Sequence, residues 1–303
     1  MKWINVATKV VALTLLGSVA AGSIAQAAVF NDLFVFGDSY SDTGAYVRLT
    51  DGSTAAGYLA QNYGITLALP QNPAPGTSGV NFAQSGARVD VGPTPPATQP
   101  QSLTQQVASF QNYVTSGAVT FNPASTLFFL AGGLNDHLRA TQAEISAATA
   151  NQVATLYSLG GRYFEIALLP SLIPGFTDSA ENLNPAYRAL VPQLQAQYSD
   201  ASITLSNWGT YYDDILRNPS QYGITNTTDP CFDIPTQRQT CSTPNTYFYY
   251  YIRHPSDAAH HIVGDRLYQE ALALRTVPEP ISLVLMGTGL GILGLVRRRQ
   301  LAA

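Results

Sequence analysis

Ser39 is the residue with the clearest chemical potential in this sequence. It follows Gly37 and Asp38, which come directly after the apolar run Leu33-Phe34-Val35-Phe36. Such a run is typical of a buried strand in an α/β sheet. A tight turn would leave Ser39 at the carboxyl end of that strand, where open α/β sheets place their chemistry. Because a serine hydroxyl is a weak nucleophile, it needs a base for its proton and donors for an oxyanion.

The base must come from four histidines, which are His137, His254, His260 and His261. His254 precedes a proline, which pushes it out of the α region, so we expect it in a loop. Ser256 can then cap a helix that begins at Asp257 and runs towards Leu274. A loop histidine at a helix start can lean over Ser39, whereas His260 would lie a full turn inside the helix. We therefore predict His254 as the base.

The elements that must position these residues alternate along the chain. Strand-like apolar runs lie at 127–130, 166–169 and 203–205, and helix-compatible stretches lie at 141–159 and 185–198. This alternation predicts an α/β domain with a mostly parallel sheet and helices on both faces. Segments 70–79 and 92–100 are predicted as surface loops, and segment 218–246 has no regular pattern.

Four blocks, in order between residues 32 and 271, resemble the GDSL (SGNH) family of esterases and lipases. The first block reads FGDSYSDTG where the family usually has FGDSLSDTG, so Tyr40 replaces a leucine. The second reads NFAQSGA against NFAxGGA, with Ser85 in place of a glycine. The third is GLND, from Gly133 to Asp136, against GxND, and the fourth is HPS-DAAH, from His254, against HPT-xAAH.

The resemblance implies the flavodoxin-like three-layer sandwich of SGNH hydrolases. It also implies that Ser39 attacks an ester carbonyl with His254 as general base, without a metal or cofactor. The N–H groups of Ser39 and Gly86 and the side-chain amide of Asn135 would hold the oxyanion. From the residues alone, Gly86 could be a turn glycine and Asn135 could cap the next helix. His137 is interpreted as a pocket or surface residue.

The chain departs from the family where the aspartate that orients the histidine is expected. Three residues before His254 this chain has Tyr251. In the serine-protease template, replacing that aspartate by asparagine costs about 10⁴-fold in turnover. A backbone carbonyl or Asp257 could substitute, the Tyr251 side chain could accept the imidazole N–H weakly, or the enzyme could be impaired. We expect a working but slow Ser-His dyad.

The composition excludes one class of partner and suggests one covalent link. Residues 28–276 contain ten arginines, no lysine and eighteen acidic residues, and phosphate binding needs a basic face, so nucleic acid is not an expected partner. Cys231 and Cys241 lie ten positions apart, and in an exported chain they are expected to form a disulfide rather than a metal site.

Tyr247 and Tyr249–Tyr251 could stack on sugars or belong to a strand.

Both ends of the chain carry targeting patterns. Residues 1–27 have two lysines, an apolar run at 10–21 and Ala25-Gln26-Ala27, which indicates a cleaved signal peptide; a retained anchor is the alternative. Residues 277–303 begin with Val-Pro-Glu-Pro, continue with an apolar run at 281–296 and end near three arginines. They resemble a PEP-CTERM sorting signal, which implies a sorting protease; a permanent anchor is the alternative. The apolar run would span roughly 24 Å, a little under the roughly 30 Å hydrocarbon core, so a short transmembrane helix would need flanking residues as well.

These observations predict a domain at 28–276 between a signal peptide and a sorting segment. We expect an exported carboxylic ester hydrolase in the cell envelope or outside a Gram-negative bacterium. Lipid esters and acylated exopolysaccharides both fit as substrates, and the C-terminal segment would hold the protein in the membrane before processing. An acyltransferase of the same fold is one alternative. A catalytically weak matrix or carbohydrate-binding protein, suggested by Tyr251 and Ser85, is another.

Overall fold

A five-stranded parallel sheet forms the centre of the protein. The computed structural model describes residues 30–71, 73–74, 76–90, 100–136 and 139–274. The strands are β1 (Asp32–Gly37), β2 (Gly79–Asn81), β3 (Thr126–Ala131), β4 (Tyr163–Ala167) and β5 (Ser202–Ser206). Their order is β2-β1-β3-β4-β5, and every neighbouring pair is parallel. This is the flavodoxin-like strand order, so the predicted fold class is confirmed.

In the described part of the chain, six α-helices surround the sheet. They are α1 (Ala55–Asn62), α2 (Leu103–Thr115), α3 (Gln142–Ser158), α4 (Thr177–Gln197), α5 (Trp208–Arg217) and α6 (Asp257–Ala273). Helices α1 and α5 pack on α6, whereas α2 and α4 pack on α3, which gives two helical groups. Hydroxyl side chains cap four of the helices by accepting N–H bonds in the first turn. Ser256 caps α6, as predicted.

The core explains why the central strands read as continuous apolar runs. In β3 all six residues are buried, because helices cover both faces of a parallel sheet. Aromatic rings run across the sheet, with Phe128 lying 5.6 Å from Phe34 and 5.4 Å from Phe164 between ring centroids. This packing keeps β1 and β3 in register, so that their carboxyl ends lie next to each other at the same end of the sheet.

A second, smaller sheet follows α5. It contains β6 (Asn226–Asp233), β7 (Arg238–Gln239), β8 (Tyr247–Tyr251) and β9 (His254–Pro255), in the order β7-β6-β8-β9. The predicted disulfide joins Cys231 to Cys241 next to the β6–β7 pair, with the two Cα atoms 5.1 Å apart. The tyrosines at 247–251 are therefore strand residues, and β8 and β9 form the hairpin that carries His254.

Several element boundaries differ from the sequence prediction. Strand β4 begins at Tyr163 rather than at 166, because Glu165 interrupts the apolar pattern inside the strand. Helix α4 begins at Thr177 and continues through Pro185 and Pro192, whereas the predicted helical stretch began at Pro185. Segment 218–246 contains β6 and β7, and helices α1, α2 and α5 were not predicted. The predicted loop at 70–79 reaches into β2, and most of the one at 92–100 lies outside the described residues.

Within the described residues, no helix is long and apolar enough to cross a membrane. The apolar runs at 10–21 and 281–296, on which the targeting predictions depend, lie outside those residues.

Candidate active site

Ser39 lies in the tight turn that ends β1. The N–H groups of Ser41 and Asp42 each donate to the Asp38 carbonyl oxygen at 3.0 Å, and the Tyr40 N–H donates to Asp38 Oδ1 at 3.1 Å. Gly37 is required before this turn, since a Cβ there would lie 2.9 Å from the Ala131 carbonyl oxygen of β3. These contacts leave the half-buried Ser39 side chain at the carboxyl end of β1, as the sequence predicts.

His254 contacts Ser39 directly. The imidazole Nε2 lies 2.9 Å from Ser39 Oγ, and Nδ1 lies 3.2 Å from the carbonyl oxygen of Tyr251. A carbonyl oxygen can only accept, so Nδ1 must carry the hydrogen and Nε2 must present its lone pair to the serine hydroxyl. The main chain therefore selects the tautomer that a general base for Ser39 requires.

Neither of the other groups that could have replaced the missing aspartate hydrogen-bonds His254 in the described part of the chain. Asp257 Oδ1 accepts from the Ser53 N–H at 2.8 Å and from the Tyr58 hydroxyl at 2.6 Å, which ties α6 to the start of α1. Among the residues of the structure, Asp257 makes no hydrogen bond to His254. The Tyr251 ring lies 6.2 Å from the imidazole between centroids. The backbone carbonyl is thus the acceptor that the structure provides.

His260 is a structural residue inside α6. It is buried, and its Nδ1 lies 2.7 Å from the Tyr212 hydroxyl and 3.2 Å from the Ala55 N–H. Burial lowers the pKa of His260 to about 3, so its ring is neutral. His261 is exposed and lies 3.8 Å from Asp265. His137 lies outside the described residues.

Burial dominates the electrostatics of the dyad. It lowers the pKa of His254 to about 4, the Arg253 charge lowers it further, and the Tyr251 carbonyl opposes both. Beside the nucleophile, burial raises the pKa of Asp38 to about 7, although the Tyr40 N–H stabilises its ionised form. The imidazole is therefore neutral, and able to accept a proton, across the whole neutral pH range.

The oxyanion donors predicted from the sequence are the N–H groups of Ser39 and Gly86 and the side-chain amide of Asn135. Gly86 has a φ of +85°, a conformation that favours glycine, and its turn is attached to β1 because the Gln84 N–H donates to the Gly37 carbonyl at 3.1 Å. Asn135 donates one amide hydrogen to the Ala87 carbonyl at 2.8 Å, and its second amide hydrogen has no acceptor among the described residues. The N–H groups of Ser39 and Gly86 have no acceptor among the described residues.

Two further residues support the site but were not predicted from the sequence. The buried Asp42 carboxylate accepts N–H bonds from residues 44–47 and from Ser85, which joins the first block to the second. The Gln106 side chain bonds both the N–H and the carbonyl of Gly37 at 2.9 Å. Asp42 could have been singled out by its place in the first block, whereas no local signal marks Gln106.

Ser85, which departs from the family pattern, fits its surroundings. Its hydroxyl donates to the Val47 carbonyl, and its N–H donates to Asp42 at 2.8 Å. The serine therefore fastens the loop after β1 to the Gly86 turn, so its presence does not disturb the predicted donors. Within the described residues, no group of three or more His, Cys, Asp or Glu side chains could hold a metal ion.

Two family models match the chain. The model of the GDSL-like Lipase/Acylhydrolase family matches residues 33–267, and the PEP-CTERM protein-sorting motif matches residues 276–300. The sorting motif implies export to the cell envelope of a Gram-negative bacterium.

Curated relatives and solved structures are similar at low identity. The chain is 26% identical to the thermolabile hemolysin of Vibrio parahaemolyticus. The match covers 55% of this chain and 46% of the hemolysin. It is 25% identical to a GDSL esterase/lipase of Arabidopsis thaliana, covering 78% of this chain and 85% of the relative. A catalytic mutant of Axe2, an acetylxylan esterase from Geobacillus stearothermophilus, is 14% identical with a TM-score of 0.45, covering 80% of this chain and 94% of Axe2. Since the family model matches most of the chain, the protein belongs to the GDSL-like lipase/acylhydrolase family of carboxylic ester hydrolases.

Proposed function

We propose that the protein is an exported serine hydrolase that cleaves carboxylic esters through an acyl-enzyme on Ser39. The observation that carries the proposal is the 2.9 Å contact between Ser39 Oγ and His254 Nε2. This distance lies within the reach required of a nucleophile and its base. The hydrogen on Nδ1 is directed to the Tyr251 carbonyl, so the opposite nitrogen is free to take the serine proton.

The reaction follows from these positions. Ser39 Oγ forms a bond to the ester carbonyl carbon while its proton moves to His254 Nε2, and the carbonyl electron pair moves onto the oxygen. The N–H groups of Ser39 and Gly86 and the Asn135 amide stabilise that oxyanion. The intermediate then expels the alcohol, which takes the proton from Nε2. Water repeats the steps on the acyl-enzyme and releases the acid.

A carbonyl in place of a carboxylate should slow the reaction without stopping it. In the serine-protease template, the asparagine substitution stabilises the wrong tautomer, and turnover falls by about 10⁴-fold. Here the Tyr251 carbonyl selects the correct tautomer, so only the stabilisation of the positive imidazolium is lost. The low pKa of His254, about 4, also makes it a weak base. A slow dyad is therefore the expected behaviour.

The patterns at the two ends of the chain support a proposal for the location and the substrate class. We propose that a signal peptide at 1–27 is removed, that the hydrolase domain occupies 28–276, and that the sorting segment at 277–303 is cut after it has held the protein in the membrane through its apolar run. The substrate would then be an ester accessible in the envelope or outside the cell, either a lipid or an acylated exopolysaccharide. An alcohol acceptor in place of water would make the same site an acyltransferase.

The test is hydrolysis of p-nitrophenyl acetate and octanoate by the full chain, compared with the Ser39→Ala and His254→Ala variants. We expect each variant to lose about 10³-fold or more in kcat. Ser220→Ala and His261→Ala, which change exposed residues of the same types, serve as matched controls and should keep full activity. Circular dichroism of each protein would show that the variants are folded.

Two outcomes would overturn the proposal. Activity that survives Ser39→Ala would place the nucleophile elsewhere. A folded wild-type protein with no turnover above the Ser39→Ala background would favour the binding protein, and retention of an acylated polysaccharide by both proteins would support that alternative. An acyltransferase would instead show product formation that depends on an added sugar or sterol acceptor.

A further inference from the structure

Tyr40 occupies the position next to the candidate nucleophile, where the family usually has a leucine. The side chain is fully buried among aromatic rings. Its ring makes edge contacts with Phe176, Trp208 and Tyr212 at centroid distances of 5.6, 5.7 and 5.7 Å. A leucine could fill an apolar site of this kind, but a phenol brings a hydroxyl that must find a partner when it is buried.

The partner of that hydroxyl lies beside the candidate base. Tyr40 Oη donates to the Arg253 carbonyl oxygen at 2.5 Å, across 213 positions of sequence. This carbonyl belongs to the peptide bond that joins Arg253 to His254. The Tyr40 ring also lies 5.4 Å from the imidazole between centroids. One side chain therefore connects the residue after the nucleophile to the peptide that carries the base.

The hairpin that Tyr40 contacts needs such support. Ile252 has a φ of 51°, in the left-handed region, which is unfavourable for a β-branched residue. The same four-residue turn must place the Tyr251 carbonyl 3.2 Å from His254 Nδ1 and hold Nε2 against Ser39. A small rotation of the Arg253–His254 peptide would disturb both contacts. In the serine-protease template, a carboxylate side chain holds the imidazole in its orientation, and the described residues provide no such carboxylate for His254.

The hydroxyl is able to donate at every pH at which the enzyme would work. Burial, together with the neighbouring phenols of Tyr212 and Tyr249, raises the pKa of Tyr40 well above its ordinary value of 10, although the charge of Arg253 opposes the shift. The phenol therefore stays protonated. The Arg253 guanidinium lies 5.6 Å from the centre of the Phe176 ring, which also contacts the Tyr40 ring.

We propose that Tyr40 is a positioning residue that fixes the Arg253–His254 peptide and so keeps the carbonyl-oriented imidazole aligned with Ser39. This inference rests on the proposed function of Ser39 and His254. Tyr40 itself does not touch the reacting atoms, so its loss should lower the rate of the chemical step and leave substrate binding unchanged.

The test compares Tyr40→Phe with Tyr212→Phe in the full chain. Both changes remove one buried hydroxyl from the same aromatic cluster, but the Tyr212 hydroxyl bonds His260 at 2.7 Å rather than the His254 hairpin. We expect Tyr40→Phe to lower kcat by roughly ten- to a hundredfold, since small misalignments of catalytic groups have effects of this size, with KM within about twofold. The rate of Ser39 labelling by a fluorophosphonate should fall by a similar factor. Tyr212→Phe should lower the unfolding temperature comparably while both rates stay near wild type.

Equal losses of kcat in the two variants, or a kcat of Tyr40→Phe within about twofold of wild type, would overturn the inference. Should Tyr40→Phe fail to fold, Tyr40→Leu restores the residue usual in the family and carries the same prediction. Ser39→Ala, measured in parallel, separates the two proposals. Activity that survives Ser39→Ala contradicts the proposed function, whereas activity that depends on Ser39 but not on the Tyr40 hydroxyl contradicts this inference alone.

Discussion

The side chain of His254 is oriented by the main chain of Tyr251, whose carbonyl oxygen lies 3.2 Å from the imidazole Nδ1. This contact requires no carboxylate, and within the described part of the chain the imidazole has no negative partner. The tautomer is fixed, but the imidazolium that forms during catalysis is stabilised less than it would be beside an aspartate. The pH dependence and the mutational sensitivity of the site follow from that difference.

The first prediction concerns the acid limb of the pH–rate profile. General base catalysis needs a neutral imidazole, and burial lowers the pKa of His254 to about 4. The value of kcat/KM should therefore rise with pH through a midpoint near 4 and be flat at neutral pH, since kcat/KM reports the free enzyme. Initial rates from pH 3 to 8, corrected for spontaneous ester hydrolysis, measure the midpoint. A midpoint at or above the ordinary value of 6.5 would indicate a negative partner for His254 that the structure does not provide.

The second prediction concerns the Tyr251→Asp variant, which restores the family's residue. A carboxylate close to the imidazole favours its charged form, so the acid limb should move to higher pH and kcat should increase. Tyr250→Asp introduces the same charge one residue earlier in β8, where successive side chains point to opposite faces, and is the matched control. If both variants shift the midpoint equally, the effect comes from net charge rather than from contact with His254.

The third prediction concerns the oxyanion site. Asn135→Ala removes one of three proposed donors, and losing one such donor typically lowers kcat by about 10²–10³-fold. KM should change little, because the oxyanion exists only in the transition state and intermediates. Asn151→Ala, at an exposed position of α3, is the control. A rise in KM with unchanged kcat would make Asn135 a binding residue instead.

The fourth prediction concerns Glu165, a buried glutamate in the centre of β4. Neither of its carboxyl oxygens has a hydrogen-bond partner among the residues that the structure describes, and burial, together with the charge of Glu270, raises its pKa well above the ordinary 4.5. The folded state therefore keeps a proton that the unfolded chain loses, and stability falls as the pH rises above about 4.5. Glu165→Gln should therefore be more stable than wild type at pH 7. Above about pH 4.5, the difference in unfolding free energy between the two proteins should grow by about 1.4 kcal/mol per pH unit.

Urea unfolding at pH 4.5, 6 and 7.5 measures this difference. Glu181→Gln removes an exposed glutamate from α4 and should leave the pH dependence of the unfolding free energy as it is in wild type. Parallel pH dependences for wild type and Glu165→Gln would show that Glu165 does not bind a proton on folding.

Local sequence signals were sufficient to predict the position of a residue where its neighbours in sequence determine its conformation. The apolar run before Ser39 and the proline after His254 are signals of this kind, and the structure brings the two side chains together. They also placed Ser256 as the cap of α6. The sequence pattern further left open whether a backbone carbonyl, Asp257 or the Tyr251 side chain faces Nδ1, and only the geometry of the hairpin distinguishes them.

Contacts between distant parts of the chain could not be predicted in this way. The partner of the Tyr40 hydroxyl depends on how the hairpin docks on β1, and Gln106 reaches Gly37 only after α2 has packed against the sheet. Strands β6 and β7 were missed because nearly all of their residues are exposed or half-buried, so neither strand shows an alternating apolar pattern. Each of these features is fixed by tertiary packing rather than by local preference.

The most direct test of the central claim is to identify the residue that a fluorophosphonate modifies in the full chain, by peptide mass spectrometry. The proposed dyad predicts a single adduct on Ser39, absent from Ser39→Ala and formed much more slowly in His254→Ala. An adduct on another serine, or labelling of Ser39 at an unchanged rate in His254→Ala, would contradict it.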